Sequence, residues 1–291
     1  MKSTAIVVHF GDPAPTLSVV GSVASLVSET VVAVNDSSPR PPGLPADVEW
    51  SVMERNLGYG AAFMRAAAGR RSDIYVLLNN DLDFPAESFR HCLHSLEADR
   101  SIGVLGPVLR FADGRLQSGA GWLTRWRKQP RALAEPGPGP VDCAWVTGAA
   151  MFLSARLVEE IGMDGSYFLG YEDSDLCLRA RRAGFRVVCH GAAPAVHHGA
   201  QVISGPRWSY YVPRNRVWFA RANFGPMVAL LVWLGELAVI PRVLLADLLK
   251  RRDVTSTRLR LLGAVHAYRR KPAMAEGPLP GEPLPGRVMR W

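Results

Sequence analysis

Two patterns alternate along the first hundred residues. Apolar-rich runs at 5–10, 30–35, 73–79 and 102–108, with a short mixed strand at 48–53, are separated by stretches whose apolar residues recur every three or four positions. Such short continuous runs predict strands buried on both faces, and the 3.6-residue spacing predicts helices over 17–27, 58–69 and 85–99. Pro85 suits a first helical turn, where its missing N–H costs nothing. Asp36-Ser37-Ser38-Pro39 reads as a turn and the Pro-rich piece 39–45 as a loop. The alternation predicts an α/β fold with a central, mostly parallel sheet and helices on both faces. Ligands of such sheets gather at the carboxyl ends of the strands. Those ends carry His9-Phe10, Asn35-Asp36 and Asn79-Asn80-Asp81.

The pattern then changes. Gly, Trp, Arg and Pro dominate 109–142, which predicts a hairpin and a loop over the site. A strand is expected over 141–153, a helix over 170–184, a short strand over 185–190 and an aromatic, Arg-rich helix over 208–224. Residues 227–240 are apolar but include Glu236, and Pro241-Arg242 interrupt them. A spanning helix needs about 20 apolar residues, so this stretch is expected to lie on a surface rather than cross a bilayer. The chain divides into a domain of residues 1–225 and a basic C-terminal part, residues 226–291, with helices and a Pro-rich tail.

Composition narrows the class. Of 291 residues, 48% are apolar and 21% charged, which excludes a disordered, collagen-like or coiled-coil chain. Four widely spaced cysteines without a CxxC pair argue against a zinc ribbon, a redox motif or a disulfide scaffold. The first residues lack a signal-peptide apolar segment and cleavage site, so a cytoplasmic chain is expected. The net charge of +8 is unevenly placed. Residues 201–291 hold 15 Lys and Arg against 5 Asp and Glu, a net +10, while residues 1–200 are at −2. A basic last third points to an anionic partner. No nucleic-acid motif accompanies the charge, so the inner face of an anionic membrane is the expected surface.

Four segments carry candidate chemistry. Asn79-Asn80-Asp81-Leu82-Asp83 leaves a buried strand with two carboxylates, as a site for Mg²⁺ or Mn²⁺ on a diphosphate would require. Taken alone it is also an ordinary strand exit. Glu172 and Asp173 follow an aromatic run and open a helix, where a carboxylate can serve as general base. Acids there also simply favour the helix dipole. Of His197 and His198, adjacent on an extended segment and so pointing opposite ways, one can bind a given ion, and His197 is preferred. Arg55-Asn56-Leu57-Gly58-Tyr59-Gly60 is a glycine-rich turn entering a helix, able to approach phosphate. Phe63 and the position after the third strand count against a dinucleotide fingerprint. GxxxxGK[ST] and GxSxG are both absent, which removes P-loop and α/β-hydrolase readings.

The order of these segments is more specific than any one of them. Asn35-Asp36-Ser37-Ser38, then Asn56-Leu57-Gly58-Tyr59-Gly60, Leu78-Asn79-Asn80-Asp81, Gly148-Ala149-Ala150-Met151-Phe152, Tyr167 through Arg179, and His197-His198-Gly199 together resemble the family 2 glycosyltransferases. The likeness is to their rhamnosyltransferase-like branch and covers residues 4–225. It implies a GT-A fold and inverting transfer of a sugar, rhamnose or another deoxysugar, from a nucleotide diphosphate sugar with Mn²⁺ or Mg²⁺. The acceptor hydroxyl would belong to a lipid-linked cell-wall or polysaccharide glycan, or to a soluble small molecule.

By the resemblance, Asp81 matches the metal-binding acid, with Asp83 second and His197 a further ligand. Asp173 matches the base, beside Glu172. Asn35, Asp36, Asn56, Gly58, Asn80 and Arg216 match donor contacts. Trp145, Gly148, Tyr171 and Asn215 match the acceptor or diphosphate side. Three positions depart from the family pattern: Asn35-Asp36 inverts the commoner order, and glycines stand at 11 and 165. A nucleotidyltransferase or a non-catalytic binding module remains the alternative of another class, and oligomeric assembly is left open.

Overall fold

Alternate residues of Ser3–His9 (β1) face opposite sides of a sheet, and every one of them is buried. Ala5 and Val7 pack with Val19 and Val20 of Pro13–Val23 (α1) and Phe89 of Ala86–Ala98 (α3). Ile6 and Val8 pack on the other face with Phe63 of Tyr59–Ala67 (α2) and Leu176 of Glu172–Arg182 (α5). Two-sided burial is why these strands read as continuous apolar runs. The computed structural model describes residues 1–125, 129–199, 206–249 and 253–268.

Glu29–Val34 (β2), Glu49–Val52 (β3) and Ile74–Asn79 (β4) complete a parallel half in the order β3-β2-β1-β4. Beyond β4 the antiparallel strand Ala150–Ser154 (β11) inserts before Ile102–Arg110 (β6), which pairs in parallel with Arg186–His197 (β12). Pro140–Asp142 (β10) closes that edge. Leu82–Asp83 (β5) adds to the end of β12, and Leu116–Ser118 (β7) to β6. Ala120–Leu123 (β8) and Pro130–Ala134 (β9) form the hairpin expected in 109–142. All four cysteines are free thiols.

Three expectations need correction. The strand expected over 141–153 is two strands, β10 and β11, with irregular backbone between them carrying Trp145 and Gly148. The strand expected over 185–190 runs on to His197, bulging where its register against β6 shifts between His190 and Pro194. The apolar helix does not stop at Pro241. Pro226–Leu249 (α7) is continuous over 24 residues, long and apolar enough to cross a membrane by length and composition. Pro206–Phe224 (α6) and Thr255–His266 (α8) pack against it. Past the proline the helix is held to α8 by Asp247, whose carboxylate accepts from Thr257, and this tertiary contact outweighs the local break. Lys250-Arg251-Arg252 and the Pro-rich tail lie outside the described residues.

Candidate functional site

Asp81 leaves β4 at the carboxyl end of the parallel half and is held by backbone, its carbonyl accepting from the His198 N–H at 3.0 Å. The strand pairing of β5 with β12 sets Leu82 opposite His197 and Asp83 opposite Val196. The two histidines therefore point apart, as the extended backbone requires. His197 Nε2 lies 3.2 Å from Asp81 Oδ1, whereas His198 Nε2 lies 2.7 Å from Asp83 Oδ2. Asp83 is exposed and separate from the Asp81–His197 pair, so the structure does not bring all three proposed ligands together.

The chemistry of this pair fits a cation. His197 Nδ1 is 2.9 Å from Gln117 Oε1, an acceptor, so the ring proton sits on Nδ1 and Nε2 keeps its lone pair. With that tautomer Nε2 accepts the Asn79 amide N–H at 3.0 Å, a bond a bound cation would replace. Beside it lies a buried Asp81 Oδ1 which has no hydrogen-bond partner. An oxygen and an imidazole nitrogen suit Mn²⁺ or Mg²⁺, with further ligands from water and phosphate. Among the described residues no cluster of three or more His, Cys, Asp or Glu could hold a metal alone.

Asp173 stands at the start of α5. Its Oδ2 accepts the Gly148 N–H at 2.8 Å, and its Oδ1 accepts the Ser174 N–H at 2.6 Å. Both bonds fix the carboxylate and favour its charge, against a burial that pushes it upward. A Cβ on Gly148 would meet Asp173 Cβ at 3.2 Å, so residue 148 must be small for the loop to come this close. Glu172 turns inward, 5% exposed, and its Oε2 has no partner. Burial and then the Asp173 charge push its carboxyl up to about 8. Glu172 therefore keeps its proton at neutral pH, and burial raises the neighbouring Asp173 as well. Tyr59 joins the two halves of the site. Its hydroxyl donates to the Gly148 carbonyl at 2.8 Å, and burial together with the charges of Glu172, Asp81 and Asp173 raises its phenol.

Several predicted contact residues are occupied by the protein itself. Asn35 is buried, its amide donating to the Gly58 carbonyl and its Oδ1 accepting the Leu57 N–H, so it pins the 57–58 turn rather than facing a ligand. Asn56 caps that same turn through the Gly58 N–H. Gly58 is required by contact, since at φ +79° a Cβ would lie 2.4 Å from the Phe168 carbonyl. The turn packs on the 165–168 segment. Asn80 donates to Thr16 Oγ1, which in turn contacts the buried His9 Nδ1 at 2.7 Å. Asp36 accepts the Gly11 N–H at 2.6 Å and remains half-buried at the strand ends.

The C-terminal side is similar. Asn215, fully buried, donates to the carbonyls of Tyr167, Leu169 and Gly170 and so latches the turn that leads into α5. Arg216 Nε donates to Tyr171 Oη at 2.8 Å, and its Nη1 pairs with buried Glu236. It is 12% exposed and committed inside the protein, not presented to a diphosphate. Tyr171 caps α5 in the left-handed region, φ +78°. Trp145 donates to the Trp122 carbonyl at 3.2 Å, and Trp122, not Trp145, lines an open groove of about 720 Å³ between the β8–β9 hairpin and the start of β12. No carboxylate of the site lines that groove. Gln117 and Tyr59 were not legible as site residues: each lies far in sequence from the group it serves.

No protein-family model matches the chain. The chain is 26% identical over 255 residues to the O-antigen biosynthesis protein RfbC of Myxococcus xanthus, covering 79% of this chain and 19% of that one. It thus spans about a fifth of that relative's length. Among solved structures, it superposes on GalNAc-T7 with UDP, GalNAc and Mn²⁺ at a TM-score of 0.58, with 14% identity, over 76% of this chain and 47% of that one. It superposes on the mannosyltransferase PcManGT of Pyrobaculum calidifontis, in complex with GDP-Man and Mn²⁺, at 0.55 and 14% identity, over 93% and 88%. The fold is GT-A. The GT-A frame puts Asp81 at the end of its parallel half and Asp173 at the start of a facing helix.

Proposed function

We propose that this GT-A chain is an inverting glycosyltransferase that moves a sugar from a nucleotide diphosphate sugar to an acceptor hydroxyl. One observation carries the reading: an unpartnered Asp81 oxygen beside the His197 imidazole, with Tyr59 close enough to both Asp81 and Asp173 for their charges to raise its phenol. Asp173 accepts the proton of the acceptor hydroxyl as that oxygen forms its bond to the anomeric carbon and the bond to the nucleoside diphosphate breaks. The Gly148 and Ser174 N–H groups hold the base in place. Glu172, pushed up by burial, keeps its proton beside the base. A divalent ion held by Asp81 and His197 would supply positive charge to the departing diphosphate. The relative named for O-antigen biosynthesis supports a glycan or lipid-linked acceptor, and the sequence resemblance supports rhamnose or another deoxysugar as the cargo.

The test is product release from a panel of UDP-, dTDP- and GDP-sugars with Mn²⁺ or Mg²⁺. The expected product is the nucleoside diphosphate, lost on chelation and in Asp81→Ala, with the anomeric configuration of the transferred sugar inverted. Release of pyrophosphate instead would make the chain a nucleotidyltransferase and overturn the reading.

A further inference from the structure

Helix α7 is inside out. Its buried face, Ala229, Val232, Glu236 and Ile240, includes a carboxylate that is 0% exposed. Its outward face carries Met227, Leu230, Leu231, Leu234, Leu245 and Leu248, exposed by 36–68%. At about 100° per residue these six positions fall on one arc along the helix. Leu261, Val265 and Tyr268, on and just beyond α8, are exposed as well. A soluble helix turns such residues inward; an apolar helix face turned outward marks a docking site.

We propose that this face docks on an anionic lipid surface, with α7 lying in the interfacial layer. Three observations select lipid. Arg242 sits exposed at the margin of the α7 arc and Arg258 on the exposed side of α8. In sequence the two helices run directly into Lys250-Arg251-Arg252 and Arg269-Arg270-Lys271, within a segment of net +10. An apolar stripe edged by basic residues matches acyl chains beneath anionic headgroups, whereas a second copy would set these like charges against each other. Finally, α7 does not span the bilayer. Glu236 pairs with Arg216 of α6 and, at 2.8 Å, with Arg260 of α8, while Asp247 accepts from Thr257 of α8 at 2.6 Å. The helix is fixed lengthwise to the domain by polar contacts that a spanning helix would carry into hydrocarbon.

The inference is independent of the transferase reading, because it needs no donor or acceptor. The full chain is sedimented with vesicles of phosphatidylcholine alone and of phosphatidylcholine mixed with phosphatidylglycerol. The expected result is binding to the mixed vesicles, weakened by salt, and at least roughly 10-fold weaker in Leu231→Glu/Leu245→Glu. Both positions are exposed, so the variant should keep the wild-type circular dichroism, melting temperature and donor turnover. Failure of the wild-type chain to bind mixed vesicles overturns the proposal, as does equal binding by the variant. Self-association that the variant abolishes, with vesicles left unbound, would assign the face to a second copy instead.

Discussion

Glu172 and Asp173 are neighbours in one buried site. Asp173 receives two backbone N–H groups, while one oxygen of Glu172 receives none. Burial, and then the Asp173 charge, raises Glu172 from 4.5 to about 8. Between those values the folded chain keeps a proton that the unfolded chain has lost, so stability falls as pH rises through that window. Glu172→Gln should flatten the fall, whose steepest slope is about 1.4 kcal/mol per pH unit. Urea unfolding of the metal-free protein at pH values across the window measures it, and an unchanged slope would contradict the assignment. Asp173→Asn keeps the size of the side chain and removes the base. It should lower kcat by roughly 10²–10⁴-fold with donor affinity little changed, as read by single-turnover kinetics and donor titration.

At the scale of elements, the site depends on turns held from a distance. Gly58 has a left-handed φ and abuts the Phe168 carbonyl, whereas Gly114, at φ +82°, has open space around it. Gly58→Ala should destabilise the protein by well over about 1 kcal/mol, and Gly114→Ala by only about that much. Thermal melts of the two separate contact from backbone strain. The strands were legible because burial on both faces leaves an uninterrupted apolar run. Asp81, His197 and Asp173 stand out in the sequence because they are reactive side chains at strand and helix ends. The roles of Asn35, Asn215 and Arg216 were not. An Asn that bonds a ligand and an Asn that bonds a carbonyl look alike in sequence, and Arg216 meets its partner Glu236 only when α6 and α7 pack. Glu236→Ala leaves Arg216 and Arg260 without their shared carboxylate and should cost about 3–5 kcal/mol, measured by chemical denaturation.

At the scale of the whole molecule, the charge and the apolar surface sit at one end of the chain and the carboxylates at strand ends far from it in sequence. Composition located the basic third, but it could not tell an apolar helix that faces the core from one that faces out. That distinction appears only when α7 places Glu236 inward and its leucines outward. Tyr171 gives the two regions a physical link, since its hydroxyl accepts from the same Arg216 that pairs with Glu236. The proposed chemistry depends on Asp81, His197 and Asp173. The most direct measurement is nucleoside diphosphate release from a turned-over sugar nucleotide by wild type, Asp81→Ala and Asp173→Asn, each with and without Mn²⁺. Wild type should release the nucleoside diphosphate in a metal-dependent way, Asp81→Ala should lose both release and metal dependence, and Asp173→Asn should bind donor without release. Undiminished release by either variant would contradict this chemistry.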